Sequence, residues 1–355
     1  MALDILRGFA ICGVIAANFG YSFKAAGTTV DHVVHSLLNV LVDGAFYPIF
    51  CMLFGIGFAI QMERAGANFT GIYLRRLSVL FVIGIAHIIL IWWGDILFLY
   101  ATLGMLLIPA RRLPSAWLSA AAGALWALSF FEQPLLLLIG VQQNGRWSTE
   151  DLYRRGTYTQ VVEMRWRGLP YQLYDALQDP MLLQVLAFLL TGLLIARSGL
   201  FKNPRGFPLR KAAALFFAVG IVVRTGLEFT EWQRGEWSRM IVRSAAGLAL
   251  SCAYSCAALL IARAGRLHAL ANIGRMALTN YIVEALVRTT VLYGYGFGLQ
   301  RVAPAAGLAL IAAIIGFELW FSRWWLRRYR FGPLEWLWRS ATYARWQSVR
   351  IPAGP

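Results

Sequence analysis

Histidine, cysteine and acid are scarce in this chain. Four histidines, four cysteines and 17 acidic residues stand among 355 positions, against 33 lysines and arginines. The cysteines, Cys12, Cys51, Cys252 and Cys256, all fall in apolar stretches. Cys252 and Cys256 are one helical turn apart, which is neither a CxxC pair nor half of a metal set. They read as small packing residues, and no metal is expected. No Walker pattern and no strand-flanked GxGxxG occurs. Gly55 and Gly57, in Leu53-Phe54-Gly55-Ile56-Gly57, read instead as points of close helix packing. No internal repeat and no soluble appendage is visible. The first apolar span lacks a small-residue cleavage site and is expected to act as a signal anchor.

What the chain has in abundance is apolar surface. It is 59% hydrophobic with a mean hydropathy of +0.59, where a soluble domain would be nearer half apolar. The expected fold is an all-α polytopic transmembrane bundle, a single domain over 1–355. A spanning helix takes about 20 mostly apolar residues. On that measure about ten spans follow: 5–22, 37–61, 77–93, 96–110, 116–141, 181–199, 211–230, 240–262, 276–296 and 303–322. Spans 1–5 fill 1–141 and spans 6–10 fill 181–322. Between them, 142–180 reads as an outer interfacial loop carrying Arg146-Trp147 and Glu163-Met164-Arg165-Trp166-Arg167, or as a lid over the bundle. The basic, aromatic tail 323–355 is expected to anchor to the anionic leaflet.

The net charge of +16 would suggest nucleic acid in a soluble protein. Here the positive charge sits in alternate loops, where it sets topology: Arg64, Arg75 and Arg76, then Arg111 and Arg112, then Arg263, Arg266 and Arg275. Both termini are therefore expected on the cytoplasmic side of the inner (plasma) membrane, and nucleic acid is not expected as a partner.

Polar groups inside lipid are costly and mark function by default. His87 lies six residues before the end of its span, about 9 Å below the boundary. Asn18 lies at a similar depth in span 1, and Asp95 caps the same side. His32 and His35 stand in the outer loop near Asp31; His268 stands in a basic loop. Arg224 with Glu228 and Glu284 with Arg288 are spaced i,i+4 for pairing on one helix face. Glu132, Asp43 and Glu318 add further intramembrane acids. Either a polar cavity or a proton pathway accounts for them.

Several blocks resemble the YeiB-like membrane proteins, whose C-terminal part is domain of unknown function 418. They are Leu3-Asp4-Ile5-Leu6-Arg7-Gly8-Phe9-Ala10 with Asn18, Leu53-Phe54-Gly55-Ile56-Gly57, and His87 through Trp93-Gly94-Asp95-Ile96-Leu97. Gly274-Arg275-Met276-Ala277-Leu278-Thr279-Asn280-Tyr281 and Phe331-Gly332-Pro333-Leu334-Glu335-Trp336-Leu337-Trp338-Arg339 complete the set. The opening is also similar to two acyltransferase groups, the acyltransferase-3 family and heparan-α-glucosaminide N-acetyltransferase. That resemblance implies transfer of an acyl group, acetyl first of all, from a cytoplasmic acyl-CoA to an acceptor on the far side. The acyltransferase-3 family has a catalytic histidine where this chain has Asn18. The glucosaminide acetyltransferase has asparagine there and a histidine in the next outer loop, a place His35 or His32 would fill.

The expected function is thus an acyl-CoA-dependent transmembrane acyltransferase. Arg7, Arg75, Arg76 and Arg275, together with Asn280, are expected to hold the acyl-CoA. His87 is expected to act as general base oriented by Asp95, with His35 as its competitor, and Asn18 to donate to the oxyanion. The expected partners are membrane lipid and a small-molecule, glycan or lipid acceptor; a homodimer is left open. The alternative is a proton-coupled transporter of a small metabolite, with Glu132, Glu284 and Asp43 relaying protons.

Overall fold

The computed structural model describes residues 1–20, 28–131, 150–177, 181–200, 206–229, 236–265, 268–299 and 302–351. Glu132, Arg146, Trp147 and Arg266 lie outside the described residues. In order, the helices are α1 (Ala2–Gly20), α2 (Thr29–Leu41), α3 (Tyr47–Ala65), α4 (Phe69–Leu90), α5 (Leu97–Gly104), α6 (Leu107–Ala110), α7 (Ser115–Leu128) and α8 (Glu150–Arg155). They continue as α9 (Tyr158–Leu177), α10 (Met181–Arg197), α11 (Leu209–Phe229), α12 (Glu236–Arg263), α13 (His268–Arg275), α14 (Ala277–Leu292), α15 (Pro304–Leu326) and α16 (Pro333–Thr342). An antiparallel bridge joins Tyr329 with Arg350.

The chain is a multi-pass helical membrane protein, but with fewer full-length spans than its hydropathy suggests. Among the described residues, five helical runs are long and apolar enough to cross a bilayer, six when the bent pair Tyr158–Ala176 and Met181–Arg197 counts as one, and so fewer than ten. Hydropathy registers apolar residues whether they face lipid or the protein core. Segments 96–110 and 276–296 yield the short helices α5, α6 and α14, the described part of 116–141 yields α7, and segment 37–61 breaks between α2 and α3 at Gly44, whose φ is +65°. One of the five runs, Tyr47–Leu90, folds back on itself. The Phe58 ring lies 4.9 Å from that of Tyr73, whereas fifteen residues of continuous helix would separate them by about 22 Å. So α3 and α4 form an antiparallel hairpin.

Small residues set the closest helix crossings. A Cβ on Gly274 would lie 1.8 Å from the Asp4 carbonyl oxygen, and one on Gly8 would lie 1.9 Å from that of Leu270. This fixes α1 against α13. Gly55 plays the same part where α3 meets α10, 2.1 Å from the Leu189 carbonyl, while Gly57 meets nothing within 4 Å. We expect Gly274→Ala to cost about 1–3 kcal/mol by overpacking, seen as a lower melting temperature in detergent. An unchanged melting temperature would contradict the close crossing.

The pairing expected between Arg224 and Glu228 does not form, because each turns to α2. Arg224 Nη1 donates to the Asn39 carbonyl at 2.7 Å and lies 3.7 Å from Asp43. Glu228 accepts from Asn39 Nδ2 at 3.3 Å. Asp43 is also bound by Arg243, Nε to Oδ2 at 2.8 Å. A buried arginine gains more from a carboxylate and a carbonyl on neighbouring helices than from one partner along its own helix.

Candidate active site

Two pairs of residues share one spacing. Arg7 and Asn18 on α1 are eleven residues apart, as are Arg76 and His87 on α4. Eleven residues make three helical turns, so each pair lies on one face, separated by about 16 Å. Each helix therefore carries an arginine at one end of the bundle and a polar group toward the other.

A cavity of about 1960 Å³ runs between these two ends. Six arginines face it, Arg7, Arg76, Arg154, Arg275, Arg288 and Arg339, against three acids, Asp95, Asp175 and Glu335. Its middle is walled by apolar and aromatic side chains, among them Ile11, Val14, Phe50, Phe54 and Tyr100. A long ligand with an anionic head and a largely apolar arm matches that distribution of charge.

At the far end stands Asp95. Its Oδ1 lies 3.1 Å from His87 Nδ1, and both side chains are shut off from solvent. Tyr281 Oη donates to the same oxygen at 3.4 Å, and the Tyr281 ring packs 5.2 Å from the imidazole. Asp95 Oδ2 accepts from the Phe98 backbone N–H at 2.7 Å, which caps α5 at its first turn. Gly84, one turn before His87, allows this approach. A Cβ there would meet Phe98 N at 2.7 Å and Asp95 Oδ2 at 2.9 Å.

The order of the pair differs from the sequence expectation. Asp95 and Tyr281 are on the cavity wall, and His87 is not. The imidazole is 1% exposed and sits behind the carboxylate, because its position on α4 faces the junction with α5 and α14. Neither ring nitrogen makes an aligned hydrogen bond, and Nδ1 lies within ion-pair distance of the Asp95 carboxylate. Asp95 thus contributes to the wall and His87 does not, although both side chains are closed to solvent.

Asn18 is on the wall and donates from Nδ2 to Glu284, at 3.3 and 3.4 Å. An amide nitrogen carries two hydrogens, so one N–H remains for a ligand when Glu284 takes the other. Sequence reasoning missed Tyr281 and Glu284 as members of this cluster. Both lie on α14, some 190 to 270 residues from their partners; their only signal was being polar in a spanning segment. Glu318 on α15 is fully buried, with neither oxygen hydrogen-bonded.

The remaining candidates divide. Arg7, Arg76 and Arg275 converge at the basic end of the cavity. Arg7 Nη1 bonds Asp4 at 3.0 Å, and Arg76 Nη1 bonds Gln61 at 3.4 Å. Arg75, one residue and 100° further round α4, is exposed and off the wall. Asn280 is buried away from the cavity; its Nδ2 donates to Ser322 Oγ at 3.1 Å and the Ile273 carbonyl at 3.3 Å, tying α14 to α15 and α13. His35 is half-buried on α2, and neither it nor His32 lines the cavity.

Segment 150–177 lies over the far end. Tyr153, Arg154 and Tyr171 join the wall. Tyr158 Oη bonds the Leu90 carbonyl at 3.1 Å, and the Tyr153 carbonyl accepts from Gly294 N–H at 2.8 Å. Arg165 is fully buried, its guanidinium 5.5 and 5.6 Å from the rings of Tyr153 and Tyr293. Among the described residues no group of three or more His, Cys, Asp or Glu is placed to hold a metal.

Comparison with known proteins follows the same division of the chain. Residues 1–154 match the family model of the heparan-α-glucosaminide N-acetyltransferase catalytic domain, and residues 195–345 match that of the protein of unknown function DUF418. The chain is 30% identical to YxaH of Bacillus subtilis (strain 168), over 98% of its own length and 95% of the relative's. It is 31% identical, over 97% and 93%, to a 39.9 kDa protein in the amylase 3′ region of Bacillus acidopullulyticus. It is 28% identical, over 96% of each, to YeiB of Escherichia coli (strain K12). No solved structure matches it.

Proposed function

From the premise that the chain belongs to the YeiB-like DUF418 family, related to heparan-α-glucosaminide N-acetyltransferase, we propose that it is a transmembrane acyltransferase. Its donor is an acyl-CoA, acetyl-CoA first of all. The observation that carries this reading is one cavity with Arg7, Arg76, Arg275 and Arg339 at one end and the Asp95–His87–Tyr281 cluster, flanked by Arg154 and Arg288, at the other. The distance between the ends, about 16 Å along α1 and α4, suits the pantetheine arm that separates a CoA's phosphates from its thioester.

Arg7, Arg76 and Arg275 bind the phosphates through charge-assisted hydrogen bonds. The thioester lies beside Asp95, Tyr281 and Asn18. An acceptor hydroxyl or amine attacks the thioester carbon, and its proton goes to the Asp95 carboxylate. The neighbouring His87 imidazole shares that proton. The C–S bond breaks, and the leaving thiolate takes the proton back, giving acylated acceptor and free CoA. The free N–H of Asn18 donates to the oxyanion, an effect worth about 3–4 kcal/mol where one such donor has been removed from an enzyme.

Two of the three acids assigned to a transporter's proton relay are engaged otherwise, Asp43 by Arg243 and Glu284 by Asn18, and the third, Glu132, lies outside the described residues. That favours the catalytic reading. It is tested by following release of CoA thiol from acetyl-CoA by the purified full chain. D-glucosamine and a bacterial polar lipid extract serve as trial acceptors. We expect release well above that of Asp95→Asn. Equal release by the two proteins would overturn the proposal, as would pH-gradient-driven flux in proteoliposomes without CoA turnover. Arg76→Ala is expected to raise KM for acetyl-CoA about tenfold or more through loss of one charged contact; an unchanged KM would remove Arg76 from the donor site.

A further inference from the structure

We propose that α16, from the basic tail, is the nucleotide-binding wall of the donor site, with Trp338 and Arg339 setting its affinity for an adenine nucleotide that carries two separate phosphates. This rests on the acyl-CoA reading above and deepens it. The tail was expected to lie on the membrane surface as an anchor. In the structure α16 packs onto the bundle, and Phe331, Glu335, Trp338, Arg339 and Tyr343 all reach the cavity.

Trp338 is held in place by two contacts to one residue. Its indole N–H donates to the Arg76 carbonyl at 2.9 Å, and the Arg76 guanidinium lies 4.3 Å above its ring. Arg339 is exposed, with its guanidinium 5.0 Å from the Phe331 ring and 5.3 Å from that of Tyr343. No carboxylate among the described residues forms an ion pair with it. With Arg7, Arg76 and Arg275 it makes four arginines from four separate helices, α1, α4, α13 and α16, at one mouth.

Glu335 does not neutralise this cluster. Its Oε1 accepts from the backbone N–H groups of Leu278 and Thr279, at 2.6 and 3.0 Å, and its Oε2 from Thr279 Oγ1 at 2.6 Å. It caps α14 and thereby fastens α16 to the helix that carries Tyr281. Burial pushes the Glu335 carboxyl above the ordinary carboxylate range, against the bonds from Thr279 and Leu278 that lower it. Arg7, Arg76 and Arg275 each commit one terminal nitrogen, to Asp4, Gln61 and the Arg330 carbonyl, and their remaining donors and the Arg339 fork suit phosphate, interleaved with aromatic faces suited to a purine ring. A phospholipid headgroup offers the phosphate without the ring, so the aromatic faces favour the nucleotide.

The test is binding of adenosine 3′,5′-bisphosphate to the purified full chain in nanodiscs by calorimetry. Arg339→Ala and Trp338→Phe are each expected to weaken binding tenfold or more, with melting temperature retained and Arg339→Lys giving partial recovery. Adenosine without phosphates is expected to bind at least tenfold more weakly. Wild-type affinity in both Arg339→Ala and Trp338→Phe would overturn the inference and leave the donor reading standing. So would unchanged nucleotide affinity in Arg339→Ala together with loss of co-purified anionic lipid. Failure of the wild type to bind the bisphosphate, CoA or acetyl-CoA would instead overturn the donor reading itself.

Discussion

Asp95→Asn is expected to lower acetyl-CoA turnover by roughly 10²–10⁴-fold, the range of a positioned proton acceptor. The fold should survive this change. Asp95 caps α5 through Oδ2, 2.7 Å from Phe98 N, and asparagine caps a helix about as well as aspartate. The amide keeps the cap and loses both the charge and the proton-accepting oxygen beside His87 and Tyr281. A melting temperature near that of wild type, with turnover lost, separates chemistry from stability. Turnover preserved in Asp95→Asn would remove the carboxylate from the reaction.

His87→Ala is expected to lower turnover by a comparable roughly 10²-fold or more, although the ring never touches the cavity. His87 Nδ1 lies 3.1 Å from Asp95 Oδ1 in a site closed to solvent. Removing it leaves the carboxylate without its nearest proton-sharing group. Since the two residues act as one unit, the double variant Asp95→Asn/His87→Ala should be scarcely slower than either single change. Multiplying losses, or a His87→Ala protein with wild-type kcat and a lowered melting temperature, would assign His87 to packing alone.

The depth of the polar groups was legible in the sequence, because helix rise converts residue spacing into distance. Asn18, His87 and Asp95 do gather at one end of the structure. What spacing along a helix cannot give is which way a residue faces when its neighbours are hundreds of positions away. Tyr281 meets Asp95 and Glu284 meets Asn18 only through packing of α14 against α1 and α4. Asn280 sits one residue from Tyr281, yet points at Ser322 in the core. Arg75 and Arg76 are adjacent, yet only Arg76 faces the cavity.

The span count shows the same limit. Hydropathy recorded ten apolar stretches, but an apolar helix buried among others, such as α5 with Leu97, Leu99 and Leu103 all below 10% exposure, has no need of bilayer length. The tail is the reverse case. Its aromatic and basic composition fits a membrane surface, and composition does not reveal the specific contacts that seat α16 on the bundle: Glu335 with the start of α14, and Trp338 with Arg76.

The most direct test is a structure of the purified chain with bound acetyl-CoA, solved by cryo-electron microscopy in a nanodisc. The expected density places the nucleotide among Arg7, Arg76, Arg275 and Arg339, with the arm crossing the apolar middle and the thioester within about 4 Å of Asp95 and Tyr281, ordinary contact distance. Density with the thioester beside His35, or with the arm outside the bundle, would contradict the account.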